Sequence, residues 1–432
     1  MRNRKKSKTS TQQCRSRGEA VAEQTEKKQQ DLLKDYRRDL LGVFGDPSLV
    51  LVSGSGATVT DANGKEYLDL LAGIAVNSLG HGHPAWSRAV SEQAGKLAHI
   101  SNFFTSPSQL VLAHKLLDLF DSADEAKVFF CNSGTEANEA AYKLARRHGN
   151  LTGKKTILAL EQGFHGRTIG ALSLTHKPAY RQPFEPLPSG VVHIPATLEA
   201  LETHLTDDVA AIIVEPIQGE AGVLPLPQGY LTRARELTRQ HNALLIVDEV
   251  QTGMGRTGRY FEHTRELDGQ NLPDAVTLAK GLGGGFPIGA MITNGALANG
   301  LLEAGMHGTT FGGNPLATAA ALATLTVLDE ENLLEAAVSR GESVRAQLEA
   351  LDCVAATRGA GLLIGVQLAA ETTEDGAALA PAVVAAAREA GFIINAPNAS
   401  TIRLAPPLVV TEEQLASFVQ ALPKIVETSR VS

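Results

Sequence analysis

The chain has 432 residues, of which 43% are apolar and 20% charged, and its formal net charge is −8. These values are typical of a soluble globular protein with a large core, and the acidic balance argues against nucleic acid as a partner. The three cysteines (Cys14, Cys131 and Cys353) make no disulfide framework and fit a reducing cytosol. Because no stretch reaches about 18 consecutive apolar residues, we predict no membrane span and a cytoplasmic protein.

Residues 1–30 are basic, contain no aromatic residue and lack the apolar segment of a secretory signal. We therefore expect a disordered basic tail. The pattern of apolar and polar residues divides the rest of the chain into three parts. We predict an N-terminal segment at 31–74 that joins a smaller domain, a large domain at 75–315 and a C-terminal small domain at 316–432.

Within the large domain, short apolar runs alternate with amphipathic stretches. Runs that are apolar throughout indicate strands buried on both faces, and their alternation with helices predicts an α/β fold with a mainly parallel sheet. The predicted strands are 127–130, 155–160, 191–194, 210–215, 244–249, 275–279 and 289–293. After residue 315 the pattern changes to that of a smaller α+β domain. Its last helix is predicted from Thr411, which forms a capping box with Gln414.

The stretch LLIVDEVQTGMGRTG (244–258) contains G-x-G-x-x-G after a predicted strand, which is the fingerprint of dinucleotide binding. A further acid, Asp274, lies near the spacing that a ribose-binding residue requires. However, Asp274 precedes a strand, whereas the ribose-binding acid belongs at a strand's far end. The glycines also fail to open a helical pattern, so an NAD-binding enzyme is the weaker alternative.

Two polar residues end neighbouring apolar runs. Lys280 precedes the glycine-rich turn GLGGG, and its possible roles are phosphate binding, a Schiff base with a carbonyl cofactor, or simply a solvated strand end. Asp248 ends the run LLIV and could bind a metal, act as a base or pair with a protonated ring nitrogen. No nearby cluster of His, Cys and acidic residues has the spacing of metal ligands, so we expect no metal.

Two further motifs are weak when taken alone. Ser133, Gly134 and Thr135 precede a strong helical pattern, where they could bind a phosphate or simply cap the helix. In GFHGRT (163–168), Phe164 could pack on a planar ring and Arg167 could bind a carboxylate. Together with Lys280 and Asp248, however, these residues supply what pyridoxal phosphate needs, and open α/β sheets collect ligands at the carboxyl edge of the sheet.

The sequence resembles the class III aminotransferases, which are pyridoxal-phosphate enzymes of fold type I, and among them the acetylornithine aminotransferases. The matching motifs run in family order across roughly residues 35–425. They are NSLGHGHP (77–84), NSGTEANEAA (132–141), GFHGRT (163–168), EPIQGEAG (215–222), DEVQTGMGRTG (248–258), AKGLGGGFPIGA (279–290), HGTTFGGNPLA (307–317) and RLAPPL (403–408).

The resemblance implies contacts for both the cofactor and the substrates. The implied cofactor contacts are Ser133, Gly134, Thr135, Phe164, Asp248, Gln251, Lys280 and Thr310. The implied substrate contacts are Arg167, Glu220, Thr309 and Arg403.

For the cofactor, the resemblance implies that Lys280 forms the Schiff base and later shuttles the proton. It also implies that Asp248 pairs with the ring nitrogen, that Gln251 approaches the ring hydroxyl and that Phe164 stacks on the ring. The phosphate would bind Gly134 and Thr135.

For the substrates, Arg167 would bind the carboxylate of the donor. Glu220 and Arg403 would form a switch that admits a neutral group when the two are paired and a carboxylate of glutamate when they are apart. Thr310 would reach the phosphate of the other subunit, so the resemblance implies a homodimer with shared active sites.

The implied activity is ping-pong transfer of an amine from N-acetylornithine to 2-oxoglutarate. Ornithine, succinylornithine, succinyldiaminopimelate and 4-aminobutyrate stay open as alternative donors. A pyridoxal-phosphate aminomutase on the same fold is a second alternative.

Overall fold

The computed structural model describes residues 29–122 and 125–430. The predicted tail therefore lies outside the described residues, except for Gln29 and Gln30, which begin a helix. The predicted boundaries of the domains stay predictions.

The strands, in chain order, follow the apolar runs of the sequence closely. They are β1 (Leu51–Ser55), β2 (Thr58–Asp61), β3 (Glu66–Asp69), β4 (Ala126–Cys131), β5 (Thr156–Leu160), β6 (Val191–Ile194), β7 (Val209–Val214), β8 (Ile217–Gln218), β9 (Leu224–Pro225), β10 (Leu244–Asp248), β11 (Ala275–Leu278), β12 (Gly289–Asn294), β13 (Val354–Ala360), β14 (Leu363–Leu368), β15 (Phe392–Ile393) and β16 (Thr401–Leu404). Each strand predicted for the large domain is thereby confirmed to within two residues.

The helices fill the intervals between these strands. Apart from the irregular turn Ala72–Ala75, they are α1 (Gln29–Asp39), α2 (Pro84–Lys96), α3 (Pro107–Phe120), α4 (Gly134–Thr152), α5 (Ile169–Leu174), α6 (Pro178–Arg181), α7 (Leu198–His204), α8 (Tyr230–Gln240), α9 (Gly295–Leu301), α10 (Pro315–Glu330), α11 (Leu333–Glu349), α12 (Leu379–Glu389) and α13 (Glu412–Arg430). No helix in the described ranges is both long and apolar enough to cross a membrane.

The main sheet has seven strands in the order β4-β12-β11-β10-β7-β5-β6. Strand β12 runs antiparallel to both of its neighbours, and the other adjacent pairs are parallel. Every residue of β7, β10 and β11 is buried, because helices cover both faces of such a sheet. The predicted α/β class with a mainly parallel sheet is confirmed.

Three smaller sheets complete the described part of the fold, and the smallest is the antiparallel pair β8-β9. The strand order β1-β2-β3-β15 joins the N-terminal segment to the C-terminal part, since β3 pairs in parallel with β15. Strands β13, β14 and β16 form an antiparallel sheet. The C-terminal part therefore combines helices with antiparallel strands, as the sequence pattern after residue 315 predicted.

The glycines of the apparent dinucleotide fingerprint lie in a loop and open no helix. Gly255 and Gly258 have φ values of 86° and 85°, which favour glycine. A side chain at Gly258 would collide with Val338 of α11. Asp274 accepts hydrogen bonds from the backbone of Leu245 and from the guanidinium of Arg235, so it is a structural residue. The glycine spacing therefore serves a tight turn packed against α11.

Candidate active site

A cavity of about 390 Å³ opens at the carboxyl edge of the main sheet. It brings together most of the residues that the sequence singled out, because β4, β10 and β11 all end at this edge. Its lining includes Ser133, Gly134, Thr135, Phe164, Arg167, Asp248, Gln251 and Lys280. The other predicted contacts, Glu220, Arg403, Thr309 and Thr310, lie outside this lining.

Asp248 ends β10 and is only 3% exposed. Its Oδ2 accepts hydrogen bonds from Asn138 Nδ2 and His165 Nδ1, each at 2.7 Å. Its Oδ1 accepts from the backbone of Val250 at 3.0 Å and from the hydroxyl of Thr277 at 3.2 Å. These contacts fix the carboxylate in one orientation at the cavity wall. Among the described residues, its only possible cationic partner is His165.

His165 is itself buried, and burial alone would lower its pKa. The hydrogen bond from its ring and the charge of Asp248 outweigh burial, so the pKa of His165 is raised. Its Nε2 has no hydrogen-bond partner among the described residues. A deeply buried carboxylate is stabilised by nearby cations, so Asp248 suits a ligand that brings a further protonated nitrogen to the cavity.

Lys280 follows β11 by two residues and has a φ of 40°, which is uncommon for a residue with a side chain. Burial lowers the pKa of its amine from 10.5 to about 8, even though the nearby carboxylate of Glu220 acts in the opposite direction. A larger fraction of the amine is therefore neutral near physiological pH than for an ordinary lysine. A neutral amine is the form that attacks a carbonyl carbon.

The N-terminus of α4 faces the same cavity. Ser133 caps the helix, since its Oγ accepts a hydrogen bond from the backbone of Glu136 at 3.3 Å. The backbone N–H groups of Gly134 and Thr135 have no hydrogen-bond partner in the described part of the chain. Capping and anion binding, which the sequence left as alternatives, are thus compatible here. Free N–H groups at the positive end of a helix dipole suit a phosphate.

The hydroxyl of Thr135 contacts the GFHGRT loop. It accepts hydrogen bonds from the backbone N–H groups of Arg167 and Thr168, at 3.2 and 3.3 Å. It thereby ties the GFHGRT loop to the start of α4. Arg167 itself is exposed at the cavity mouth, and Phe164 is half-buried in the cavity wall.

Arg403 lies directly behind the cavity lining and is completely buried. Its Nη1 donates to Glu220 at 2.6 Å and to Gln251 at 3.0 Å, and its Nε donates to Asn395 at 3.1 Å. Its Nη2 has no partner among the described residues. The charge of Arg403 lowers the pKa of Glu220 despite the burial of that carboxyl. The predicted switch is therefore in its paired state, and Gln251 connects it to the cavity.

Thr309 and Thr310 lie on a loop beside the cavity. The hydroxyl of Thr309 accepts a hydrogen bond from Asn132, which lines the cavity, and its carbonyl accepts one from Asn102. Thr310 is exposed and lies outside the cavity of its own chain. Thr309 is therefore hydrogen-bonded to a residue of the cavity wall, whereas Thr310 is not part of that wall.

Several residues of this site received no role from the sequence. Asn138 and His165 hold Asp248, Glu215 lines the cavity, and Asn395 holds Arg403. Burial raises the pKa of Glu215 to about 7. Asn138, His165 and Glu215 all lie within the motifs that carry the family resemblance, which was the available signal. Asn395 lies outside those motifs and offered none.

Pyridoxal phosphate fits the residues present. Asp248 offers a buried and firmly oriented carboxylate at the cavity wall for the ring nitrogen, and the N–H groups of Gly134 and Thr135 are available for the phosphate. Lys280 offers a partly neutral amine in the same cavity. The volume of about 390 Å³ lies within the range of small-molecule sites.

Known proteins share this architecture. The family described as Aminotransferase class-III matches residues 44–426. Acetylornithine aminotransferase from Mycobacterium leprae (strain TN) is 49% identical over 393 residues, which are 90% of this chain and 94% of that protein.

Two solved structures extend the comparison. Ornithine aminotransferase from Toxoplasma gondii, described as showing partial occupancy of PLP at its active site, has a TM-score of 0.87 and 32% identity, covering 99% of this chain and 100% of that chain. N-acetylornithine aminotransferase from Stenotrophomonas maltophilia K279a has a TM-score of 0.76 and 36% identity, covering 92% and 98%. The likeness therefore holds in both sequence and backbone.

Proposed function

Because this chain belongs to the class-III aminotransferase family, we propose that it is an N2-acetyl-L-ornithine:2-oxoglutarate aminotransferase of arginine biosynthesis. It is a pyridoxal-phosphate-dependent enzyme, and the products are N-acetylglutamate 5-semialdehyde and glutamate. The acetylornithine aminotransferases among its relatives support this choice of donor. A cytoplasmic location belongs to the same proposal and is supported by the free thiols of Cys131 and Cys353.

The observation that carries the proposal is that, among the described residues, one arginine of the site is paired with a carboxylate and the other is not. Arg167 is exposed at the cavity mouth, and its side chain has no ion pair among the described residues. Arg403 is buried behind Gln251, and Glu220 neutralises it. A donor with one carboxylate and a neutral end suits the paired state. 2-Oxoglutarate has two carboxylates, and its second carboxylate can replace Glu220 on Arg403.

When bound, the cofactor supplies an electron sink for the charge that develops on the donor carbon. Asp248 would hold its ring nitrogen, while Gly134 and Thr135 would hold its phosphate. The remaining steps belong to Lys280, whose neutral Nζ removes the proton from the carbon that bears the donor's amine. Its lowered pKa keeps a sizeable neutral fraction available for this transfer. His165 keeps Asp248 in place throughout.

The acceptor half of the reaction uses the same residues in reverse. Lys280 returns a proton to the carbon that receives the amine, and Arg403 binds a carboxylate of the keto acid after Glu220 leaves. Because the keto product must leave before the acceptor enters the same cavity, ping-pong kinetics follow.

A homodimer with shared sites is part of the proposal. Phe103, Phe104 and Phe311 are 93%, 70% and 58% exposed. Exposed aromatic side chains in such numbers mark an interaction surface. Phe311 directly follows Thr310, so a second subunit on this surface would lie where Thr310 could contribute to its site.

A panel of amino donors tests the proposed substrate. We expect the enzyme loaded with cofactor to show its highest kcat/KM with N-acetylornithine, above ornithine, 4-aminobutyrate and the succinylated donors. A clearly higher kcat/KM for ornithine or 4-aminobutyrate would reject the proposed donor. Turnover without any keto acid would instead establish the aminomutase alternative, whereas the transaminase requires 2-oxoglutarate for more than one turnover.

A further inference from the structure

Tyr180 lies beneath the guanidinium of Arg167. The distance from Arg167 Cζ to the centre of the Tyr180 ring is 3.5 Å, which is a close stacking contact. The Phe164 ring is farther from the same carbon, at 5.7 Å. Tyr180 is therefore the principal neighbour of this guanidinium.

The position of the Tyr180 ring is itself fixed. Tyr180 belongs to the single turn of α6, which begins at Pro178, and its ring meets Phe164 edge-on at a centroid distance of 6.3 Å and an interplanar angle of 84°. Phe164 lines the cavity. The ring of Tyr180 is half-buried, whereas Arg167 is exposed. The half-buried ring thus packs against the exposed guanidinium.

Stacking uses the face of a guanidinium and leaves its edge available. All five N–H groups lie in the plane of the guanidinium, so a ring against its face blocks none of them. No hydrogen bond or ion pair engages the side-chain nitrogens of Arg167 within the described ranges. An exposed arginine without such support would lose more rotamer freedom when it binds a carboxylate.

We propose that Tyr180 is a positioning residue that holds Arg167 in the orientation needed to bind the carboxylate of the substrate. This inference rests on the proposed function, in which Arg167 binds the donor carboxylate. Tyr180 is not part of the lining of the cavity that contains Lys280, so we expect it to contribute to substrate affinity. The chemical step should be unaffected.

The test compares Tyr180→Leu, which removes the ring, with Tyr180→Phe, which retains it. We expect Tyr180→Leu to raise the KM for N-acetylornithine roughly fivefold, with kcat changed less than twofold. Tyr180→Phe should keep the KM of the unmodified enzyme. Tyr180→Trp, which also offers an aromatic face, provides a further variant if Tyr180→Leu folds poorly. It should likewise keep the KM.

A double-mutant cycle with Arg167→Ala shows whether Tyr180 acts through Arg167. We expect Tyr180→Leu to have no further effect on KM in the Arg167→Ala background. Three results would overturn the inference. They are additive effects of the two substitutions on KM, a rise in KM in Tyr180→Phe as large as in Tyr180→Leu, and an effect of Tyr180→Leu on kcat alone. If Arg167→Ala itself leaves the KM unchanged, the carboxylate role of Arg167 in the proposed function fails. If Arg167→Ala raises the KM and Tyr180→Leu does not, only the role of Tyr180 fails.

Discussion

At the scale of single residues, the amine of Lys280 carries a measurable cost to the folded state. Its pKa is lowered to about 8, whereas an unfolded lysine titrates near 10.5. Between these values the unfolded chain binds a proton that the folded chain does not. Stability therefore rises with pH through this window, and the full cost of the buried cation is present below about pH 8.

We predict that Lys280→Met stabilises the cofactor-free protein at pH 7, with a rise in Tm of roughly 3 °C. Methionine occupies a similar volume and has no charge to bury. The measurement is thermal unfolding of both proteins from pH 7 to pH 10, where the difference should shrink as the pH rises. A difference that stays constant over this range would show that the amine is not desolvated.

Asn395 gives a second prediction at this scale. It accepts from Nε of Arg403, whose Nη2 already lacks a partner among the described residues. Asn395→Leu would leave another nitrogen of this buried cation without an acceptor, and Arg403 would lose its orientation. We expect the KM for 2-oxoglutarate to rise roughly tenfold, with the half-reaction of N-acetylornithine changed less than twofold. Stopped-flow kinetics of each half-reaction would measure this, and equal losses in both would contradict it.

The sequence predicted site residues correctly placed in the cavity where a charged residue ends a predicted strand. Lys280 and Asp248 are charged residues at the ends of apolar runs, so their unusual placement was visible without a structure. The roles of Asn138 and Tyr180 were not visible. Asn138 meets Asp248 across 110 residues of chain, and Tyr180 meets Arg167 because a short helix turns back onto the cavity.

At the scale of elements, α13 shows how local sequence begins a helix. The hydroxyl of Thr411 accepts from the backbone of Gln414 at 3.2 Å, and the side chain of Gln414 accepts from the backbone of Thr411 at 3.0 Å. The predicted capping box is confirmed. This helix buries Phe418 and Leu422 in the C-terminal part, so its start matters for that packing.

We predict that Thr411→Ala lowers the free energy of unfolding by about 1 kcal/mol, because it leaves an N-terminal N–H group without an acceptor. Gln420→Ala is the matched control, since Gln420 is exposed on the same helix. Denaturant unfolding of the three proteins measures the difference. An equal loss in both variants would mean that the cap contributes nothing specific.

The elements also show where sequence reasoning fell short. Apolar runs predicted the seven strands of the main sheet. The central strands β7, β10 and β11 are buried on both faces and are mostly apolar, whereas the edge strands β4 and β6 are only partly buried. The reversed direction of β12 was not predicted. The connection from β11 to β12 spans residues 279–288, which is too short for a crossover helix, and this length provided the signal. The pairing of β3 with β15 joins residues over three hundred positions apart and left no local pattern.

At the scale of the whole molecule, the proposed dimer predicts complementation between two inactive chains. One chain carries Lys280→Ala, and the other carries Thr310→Asp, which places a negative charge beside the partner's phosphate. A mixed dimer would contain one site with both native residues. We expect activity to return when the two chains are produced together, although each alone is inactive.

Co-expression with two affinity tags isolates the mixed dimer for this assay. Activity should approach half that of the unmodified dimer, since one of two sites is intact. Failure to regain activity in a purified mixed dimer would show that Thr310 acts within its own chain.

The central claim is that Lys280 holds pyridoxal phosphate and that N-acetylornithine is the donor. The most direct measurement is the visible absorption spectrum of the cofactor-loaded enzyme during one half-reaction. We predict an absorption band of a lysine Schiff base that disappears on addition of N-acetylornithine and returns with 2-oxoglutarate. The Lys280→Ala variant should lack this band from the start. A loaded enzyme without this band, or one whose band persists with N-acetylornithine, would contradict the account.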